Sequence, residues 1–490
     1  MEVQFLSGVH YTHMEIHPEV RAILKTLEDN GHRAYAVGGC VRDLTMGRAP
    51  TDWDVTTGAT PEELQKLFPD SFYDNAFGTV TVKTRSEDPI VWTVQVTPFR
   101  TEGTYSDKRH PDSVSFAHTV EEDLSRRDFT INAMAMTLDG AIVDPYGGQA
   151  DIKAGIVRAV GDPDERFAED ALRMMRAIRF ATSLDFSIED ATLKAVTARA
   201  SEIAAISVER VRDELIKIID SPRAADGIQL LEDVGLLKFI IPELREGIGV
   251  EQNLHHIYTV WEHNLRSLGY VAQKGYSFPV RMAALLHDVA KPRTKRGEGH
   301  HCTFYAHDAV GAKMSRAILD RLKFPHDISD RVVPLVRYHM FYYNVGEVTA
   351  ASVRRLLANI GLEHVDDLLK LREGDRIGSG TPKAVPYKLR HLKYMIDKVS
   401  HDAISVKMLS VSGTDIMTEL GVEPGPKIGL ILNTLLAEVL DDSALNERDL
   451  LLARARELNA SSATDLQKAL DRIGKAQDEQ DRERMQKFYV

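Results

Sequence analysis

The stretch Gly38-Gly39-Cys40-Val41-Arg42-Asp43, followed by Asp52-Trp53-Asp54, decides how the N-terminal part of this chain is read. Two carboxylates one residue apart on an extended segment face the same side of a strand. A glycine pair just upstream lets backbone amides approach a polyphosphate. Further along, Arg126-Arg127-Asp128-Phe129-Thr130-Ile131-Asn132-Ala133 supplies in Arg127 a guanidinium able to neutralise phosphate, and places Asn132 one helical turn beyond Asp128. Asp52 and Asp54 are hard oxygen donors of the kind that hold Mg²⁺ together with substrate phosphates. The segment therefore reads as a site for a divalent metal carrying a nucleoside triphosphate, and the chemistry expected of it is nucleotidyl transfer.

Working outward, Val20, Ile23, Leu24 and Leu27 recur with a helical period and predict a helix over 17–30, stopped by Gly31. Residues 33–37 read as a strand running into the glycine pair. Residues 52–56, 78–84 and 91–97 are β-rich, and 61–68 reads as a helix. Residues 1–150 are thus expected to form a small α+β domain, a mixed sheet of four or five strands with helices. From about residue 162 the pattern turns helical almost to the end, with connectors at 247–253 and 378–386. The all-α remainder is divided at 151–247, 248–400 and 401–490, and 465–487 reads as a charged, peripheral helix.

With 490 residues, 43% apolar and 27% charged, the chain has the composition of a soluble globular protein with more than one core. It has no apolar run of membrane length and no basic-then-hydrophobic N-terminal segment, so a cytoplasmic protein without a membrane partner is expected. Cys40 and Cys302 alone cannot build a disulfide framework or a thiolate zinc site. The formal net charge of −12 argues against broad charge-driven coating of nucleic acid. An RNA partner would need a local basic surface. Lys383, Lys388, Arg390, Lys393 and Lys398, interleaved with Tyr387, His391 and Tyr394 against Asp397, form a candidate.

A second constellation lies between residues 255 and 375: His263, His287-Asp288 after an apolar helix, His307, His339 and Asp375. Imidazole and carboxylate ligands of this kind suit Mn²⁺, Fe²⁺, Ni²⁺ or Mg²⁺.

These motifs resemble those of the class II tRNA nucleotidyltransferases (CCA-adding enzymes) and the related bacterial poly(A) polymerases. The matching segments are GGxVRD, DxD, RRDFTxNAxA, Asp144-Pro145-Tyr146-Gly147-Gly148, and Glu169-Asp170-Ala171-Leu172-Arg173 followed by Arg176 and Arg179. The histidine constellation resembles the HD phosphohydrolase superfamily, a domain that many CCA-adding enzymes carry. The resemblance implies a nucleotidyltransferase palm over 1–150, a helical neck with a nucleotide-selecting motif over 151–247, an HD domain over 248–400 and a tRNA-binding tail over 401–490. It implies Asp52 and Asp54 as catalytic ligands of Mg²⁺. Gly38, Gly39, Arg42, Arg127, Asp128, Asn132, Asp170, Arg173, Arg176 and Arg179 are implied to bind nucleotide, with CTP, ATP and the tRNA 3′ end as partners. A second divalent metal (Mn, Ni, Fe or Mg) is implied at His263, His287, Asp288, His307, His339 and Asp375. Relatives often carry an acid where this chain has Gln95, so the metals are placed on Asp52 and Asp54 alone.

The resemblance also assigns base selection to Asp170 and Arg173, which at i,i+3 are expected to share a helix face. Cytosine and adenine each present an exocyclic amine beside a ring-nitrogen acceptor, which a carboxylate and a guanidinium match. Uracil and guanine present the opposite polarity and would leave buried charged groups unmatched, at roughly 1–3 kcal/mol each. Residues 100–111 resemble the flexible loop that CCA-adding members need for the final A, which favours complete CCA addition. An A-adding specialist or a poly(A) polymerase is the alternative within the class. An HD phosphohydrolase with a palm serving only to bind RNA is the alternative outside it. The oligomeric state is not legible.

Overall fold

In the computed structural model of the chain, which describes residues 15–73, 78–102, 114–253, 257–341 and 343–486, the first predicted helix forms at Pro18–Asp29 and buries Val20, Ile23, Leu24 and Leu27. Nine strands follow in the N-terminal region: β1 Ala34–Val37, β2 Asp54–Thr57, β3 Ser71–Tyr73, β4 Val80–Lys83, β5 Thr93–Pro98, β6 Arg100–Glu102, β7 Val114–Phe116, β8 Ala135–Met136 and β9 Ile142–Val143. Seven of them make one mixed sheet in the order β3-β4-β5-β2-β1-β8-β9. Only β2 and β5 pair parallel within it. β6 and β7 form a separate antiparallel ribbon. Of the expected loop over 100–111, the first residues belong to β6, and 103–111 lie outside the described residues.

The sheet is wider than the four or five strands expected. β3, β8 and β9 have three, two and two residues, too few to leave a period-two pattern in sequence. The sheet's core is built from the helix Pro18–Asp29, the inward residues of the long strands and Cys40, Val41 and Leu44 of the helix Gly39–Thr45. Register matters most at β1 and β2. They run antiparallel with Ala36 opposite Val55, so the turn after Val37 comes beside Asp54. That pairing brings the glycine pair and the DxD segment to one end of the sheet.

The chain divides into two units, Met1–Pro242 and Glu243–Val490. The first also holds the helices Pro163–Glu169, Leu172–Leu184, Val208–Ile219 and Ala224–Asp233, with one small parallel pair, Ile156–Val157 with Ser187–Ile188. The second is helical among its described residues, apart from an isolated bridge between Arg296 and Thr303. In it the helix Leu362–Gly378 lies against Val260–Gln273 at very short range. A Cβ on Gly374 would stand 2.7 Å from Val271 Cγ1, and one on Gly378 would stand 2.8 Å from the His263 carbonyl. Glycine on that face lets the backbones approach, and the approach carries Asp375 to His263. Among the described residues no helix is long and apolar enough to cross a membrane.

Candidate active site and metal centre

Gly38 takes φ +83° at the start of the helix Gly39–Thr45, a left-handed conformation that side chains disfavour. A Cβ there would also stand 2.7 Å from Arg127 Nη1. The turn is therefore closed over by the Arg127 guanidinium, and a Cβ on Gly39 would lie 3.7 Å from Asp52 Oδ1. Asp52 is exposed and Asp54 half-buried at the head of β2. Burial pushes the Asp54 carboxyl above its ordinary value, Arg127 pulls it back, and Asp52 adds to the rise. A pair of carboxylates with hard oxygens, Asp52 open to solvent and Asp54 half-buried, fits a divalent cation such as Mg²⁺. Gln95 is exposed on β5 and sits directly beside Asp54 in the parallel register. It offers that position an amide in place of a third negative charge.

Behind the carboxylates runs a connected set of charged and polar side chains. Arg42 bonds Asp43 Oδ1 through Nε and Nη2 (2.9 and 2.8 Å) and Asn132 Oδ1 through Nη1 (2.8 Å). Asn132 Nδ2 donates to Asp128 Oδ1 at 3.2 Å, and Arg176 Nε donates to Asp128 Oδ2 at 2.6 Å. Asp128 is buried, yet the Arg176 and Arg173 guanidiniums outweigh the cost of burial and hold its carboxyl down to about 2. Asp128 is thus ionised at neutral pH and fixes Arg176 and Asn132 in place. Arg42, Arg176 and Arg179 gather around the Phe180 ring with their guanidinium carbons 5.4, 5.4 and 4.1 Å from its centroid. Burial and the neighbouring Arg176 pull Arg179 below its ordinary value. Three guanidiniums gather over one ring, each also paired with a carboxylate (Asp43, Asp128 and Glu214), which fixes them in a geometry suited to a polyphosphate. Asp123, fully buried, anchors Arg126 at 2.8 Å and faces Arg127 at 3.8 Å. Neither Asp123 nor Phe180 stood out in the sequence, because an acid in the first turn of a short helix and an apolar helix residue carry no local sign of such a role.

The expectation that Asp170 and Arg173 share a helix face is corrected. The helix Pro163–Glu169 ends at Asp170, which is extended (φ −140°, ψ 106°), and the next helix starts at Leu172. The cause is local: the Asp170 carboxylate accepts from the Leu172 amide at 3.0 Å, the capping competition that keeps aspartate out of helix interiors. Asp170 is instead held by Arg210 Nη2 at 2.6 Å. Arg173 is buried, pairs with Glu169, and donates to the carbonyls of Arg166 and Arg126 at 3.1 and 3.2 Å. Arg210 was missed because it lies 40 residues from the aspartate that it orients.

All six predicted ligands of the second constellation converge. Asp288 stands at the centre. Its Oδ2 is 3.1 Å from His263 Nε2 and 3.4 Å from His287 Nε2, and its Oδ1 is 3.4 and 3.6 Å from His307 and His339 Nε2. Asp375 Oδ1 reaches His263 Nε2 at 3.4 Å. His287, His307 and His339 each turn Nδ1 to the carbonyl three residues back (Ala284 2.8, Phe304 2.7, Val336 2.7 Å). Those bonds fix the tautomer and leave every Nε2 lone pair facing the centre. Burial holds His287 down to about 3 and His307 down to about 4, so both are neutral and ready to ligate. Neither oxygen of Asp288 has a well-formed hydrogen bond among the described residues. A buried carboxylate with imidazole Nε2 atoms gathered about both of its oxygens fits a divalent cation, which would complete two trios, His263/His287/Asp288 and Asp288/His307/His339. Two supporting cations were not anticipated. Lys291 Nζ lies 2.6 Å from Asp288 Oδ2 and 2.6 Å from Gln252 Oε1, and Arg372 pairs with Asp375.

Comparison with known proteins follows the same division. Residues 34–158 match the family model of the poly A polymerase head domain, 185–248 that of the probable RNA and SrmB-binding site of polymerase A, and 260–366 that of the HD domain. The CCA-adding enzyme of Lactobacillus helveticus is 48% identical over 215 residues, 44% of this chain and 53% of that protein. The chain thus spans about half the length of that relative. The CCA-adding enzyme of Leuconostoc mesenteroides aligns at 31% identity over 446 residues, 90% of this chain and 96% of that protein. The solved CCA-adding enzyme of Bacillus stearothermophilus in complex with CTP superposes with a TM-score of 0.65 at 29% identity, over 91% of this chain and 98% of that one. The Thermotoga maritima CCA-adding enzyme complexed with tRNA shares the fold, with a TM-score of 0.54 at 20% identity.

Proposed function

The chain belongs to the CCA-adding enzyme family, and from that premise we propose that it is a cytoplasmic tRNA nucleotidyltransferase that transfers CMP twice and AMP once, from CTP and ATP, to the 3′ end of tRNA without a nucleic-acid template. The observation that carries this reading is the register of β1 and β2, which sets Asp52 and Asp54 beside the Gly38 turn and the Arg127 guanidinium. Gly38 and Gly39 let the triphosphate lie against the helix start, where backbone N–H groups point outward. Arg42, Arg127, Arg176 and Arg179 take up its charge. Asp52 and Asp54 would hold Mg²⁺, which when bound favours loss of the 3′-hydroxyl proton and offsets the charge of the departing pyrophosphate. Asn132 and Asp128 keep Arg42 and Arg176 in position as the substrate arrives.

Base selection falls to Asp170 and Arg173 as separately braced groups. Arg210 aims the Asp170 carboxylate, which accepts from the exocyclic amine of cytosine or adenine. Arg173 is aimed by the Arg126 and Arg166 carbonyls and donates to the ring nitrogen. Equilibrium binding tests the assignment. CTP and ATP are expected to bind at least about tenfold tighter than UTP and GTP, and Asp170→Ala to erase that preference while leaving the triphosphate contacts. Arg210→Ala is expected to weaken the preference in part, since it frees the carboxylate without removing it. Unchanged discrimination in Asp170→Ala would remove the residue from base selection.

The Asp288 centre supports a second, metal-dependent activity within the same proposal, phosphoester hydrolysis, because it gathers four imidazoles and two carboxylates around one buried point.

A further inference from the structure

The helix Tyr387–Val399 buries Leu389, Leu392, Ile396 and Val399. Its other side carries Tyr387, His391 and Tyr394, at spacings of four and three residues that align them on one face. The rings form a row: the Tyr387 and His391 centroids are 6.0 Å apart, and those of His391 and Tyr394 6.1 Å. Tyr343 packs on His391 at 5.9 Å and shares a hydrogen bond with its Nδ1, which fixes the middle of the row. Tyr387 and Tyr394 are 61% and 60% exposed. Two large rings held in line and left in solvent point to a partner with flat faces.

The charges around them narrow the partner. Lys388, Arg390 and Lys398 are exposed on the same helix, against Asp397 as its acid. Lys388 donates to the Asn344 side-chain oxygen and Arg390 to the Val385 carbonyl. Both acceptors are neutral, so these cations keep their charge available in a chain whose net charge is −12. Lys393, by contrast, pairs with the buried Glu373 at 3.4 Å. Rows of aromatic faces flanked by cations are how proteins hold unpaired nucleotides, since every base has a stackable face and every link a phosphate. A duplex hides those faces.

We propose that the Tyr387–His391–Tyr394 face, backed by Tyr343, is a docking platform for an unpaired stretch of RNA. Bases stack on Tyr387 and Tyr394, and phosphates meet Lys388, Arg390 and Lys398. The platform adjoins the metal centre in sequence: Tyr343 follows the ligand His339 by four residues, and Glu373 precedes Asp375 by two. This inference rests on the reading of the chain as an RNA-processing enzyme.

The test is fluorescence anisotropy of a short labelled single-stranded RNA lacking a CCA end, and of a hairpin duplex of the same composition, titrated with the full chain. Tyr387→Ala and Tyr394→Ala are each expected to weaken single-strand binding about fivefold or more and to leave the duplex unaffected. Tyr387→Phe and Tyr394→Phe are expected to retain it, because the stacking face survives. Lys388→Ala, Arg390→Ala and Lys398→Ala together are expected to flatten the slope of affinity against salt by about 2. Unchanged single-strand affinity in both Ala variants overturns the platform, and so does an equal loss for duplex. Addition of nucleotides to tRNA by the unaltered chain is measured alongside. Its absence would count against the proposed transfer activity, whereas an intact addition with unmoved anisotropy counts against the platform alone.

Discussion

Asp54→Ala is expected to reduce nucleotide addition by about 10³-fold or more, and Asp52→Ala by a similar factor. A metal-held triphosphate and a metal-activated hydroxyl are each worth several kcal/mol of transition-state stabilisation, and removal of about 4 kcal/mol corresponds to that loss. The same variants are not expected to lower the melting temperature. Burial pushes the Asp54 carboxyl up, Arg127 pulls it back and Asp52 adds to the rise, so an alanine there sheds a burial cost and a repulsion that together outweigh the lost attraction. Extension of a tRNA lacking its CCA, followed on a denaturing gel beside thermal unfolding of each variant, separates the two effects. Activity within tenfold of the unaltered chain would show that these carboxylates do not hold the metals of transfer. Lost activity with a falling melting temperature would point to a structural role.

The second large effect concerns Asp288. Asp288→Ala is expected to abolish divalent-metal binding at the histidine centre and to destabilise the unit Glu243–Val490 by about 3–5 kcal/mol. The stability loss arises because Lys291, buried and 2.6 Å from Asp288 Oδ2, is left as an uncompensated charge. Asp288→Asn keeps the volume and one oxygen, and is expected to lose metal with a smaller loss of stability. Addition to tRNA is expected to stay within about twofold in both, since Asp52 and Asp54 belong to the other unit. Metal analysis of the dialysed protein and denaturant unfolding report the two consequences separately. Retained metal in Asp288→Ala would mean that the centre assembles without its central carboxylate.

What the sequence made legible was local chemistry. A glycine pair, an Asp-x-Asp strand and a His-Asp pair each announce themselves within a few residues, and each stands where the fold can use it. The six residues of the histidine centre were readable because ligating side chains are drawn from few types and spaced along amphipathic helices. What stayed hidden was the bracing. Arg210 orients Asp170 from a distant helix, Asp123 anchors two arginines, and Phe180 carries three guanidiniums on its ring. None bears a motif, because each works through tertiary contact alone. Asp170 itself was misplaced onto a helix face, since helical periodicity on both sides masked the cap between two helices. The two-residue strands at the edge of the sheet were missed for the matching reason: pairing, not pattern, makes them strands.

The central claim is that this chain completes tRNA ends with a defined, self-terminating sequence. The most direct measurement is to incubate a tRNA lacking its CCA with CTP and ATP together and to sequence the 3′ ends of the product. CTP alone is expected to add two residues and stop, ATP alone to add none, and both together to yield ends that finish in CCA without further extension. A long A tail, a lone A on a tRNA already ending in CC with no C addition, or no incorporation at all would contradict it.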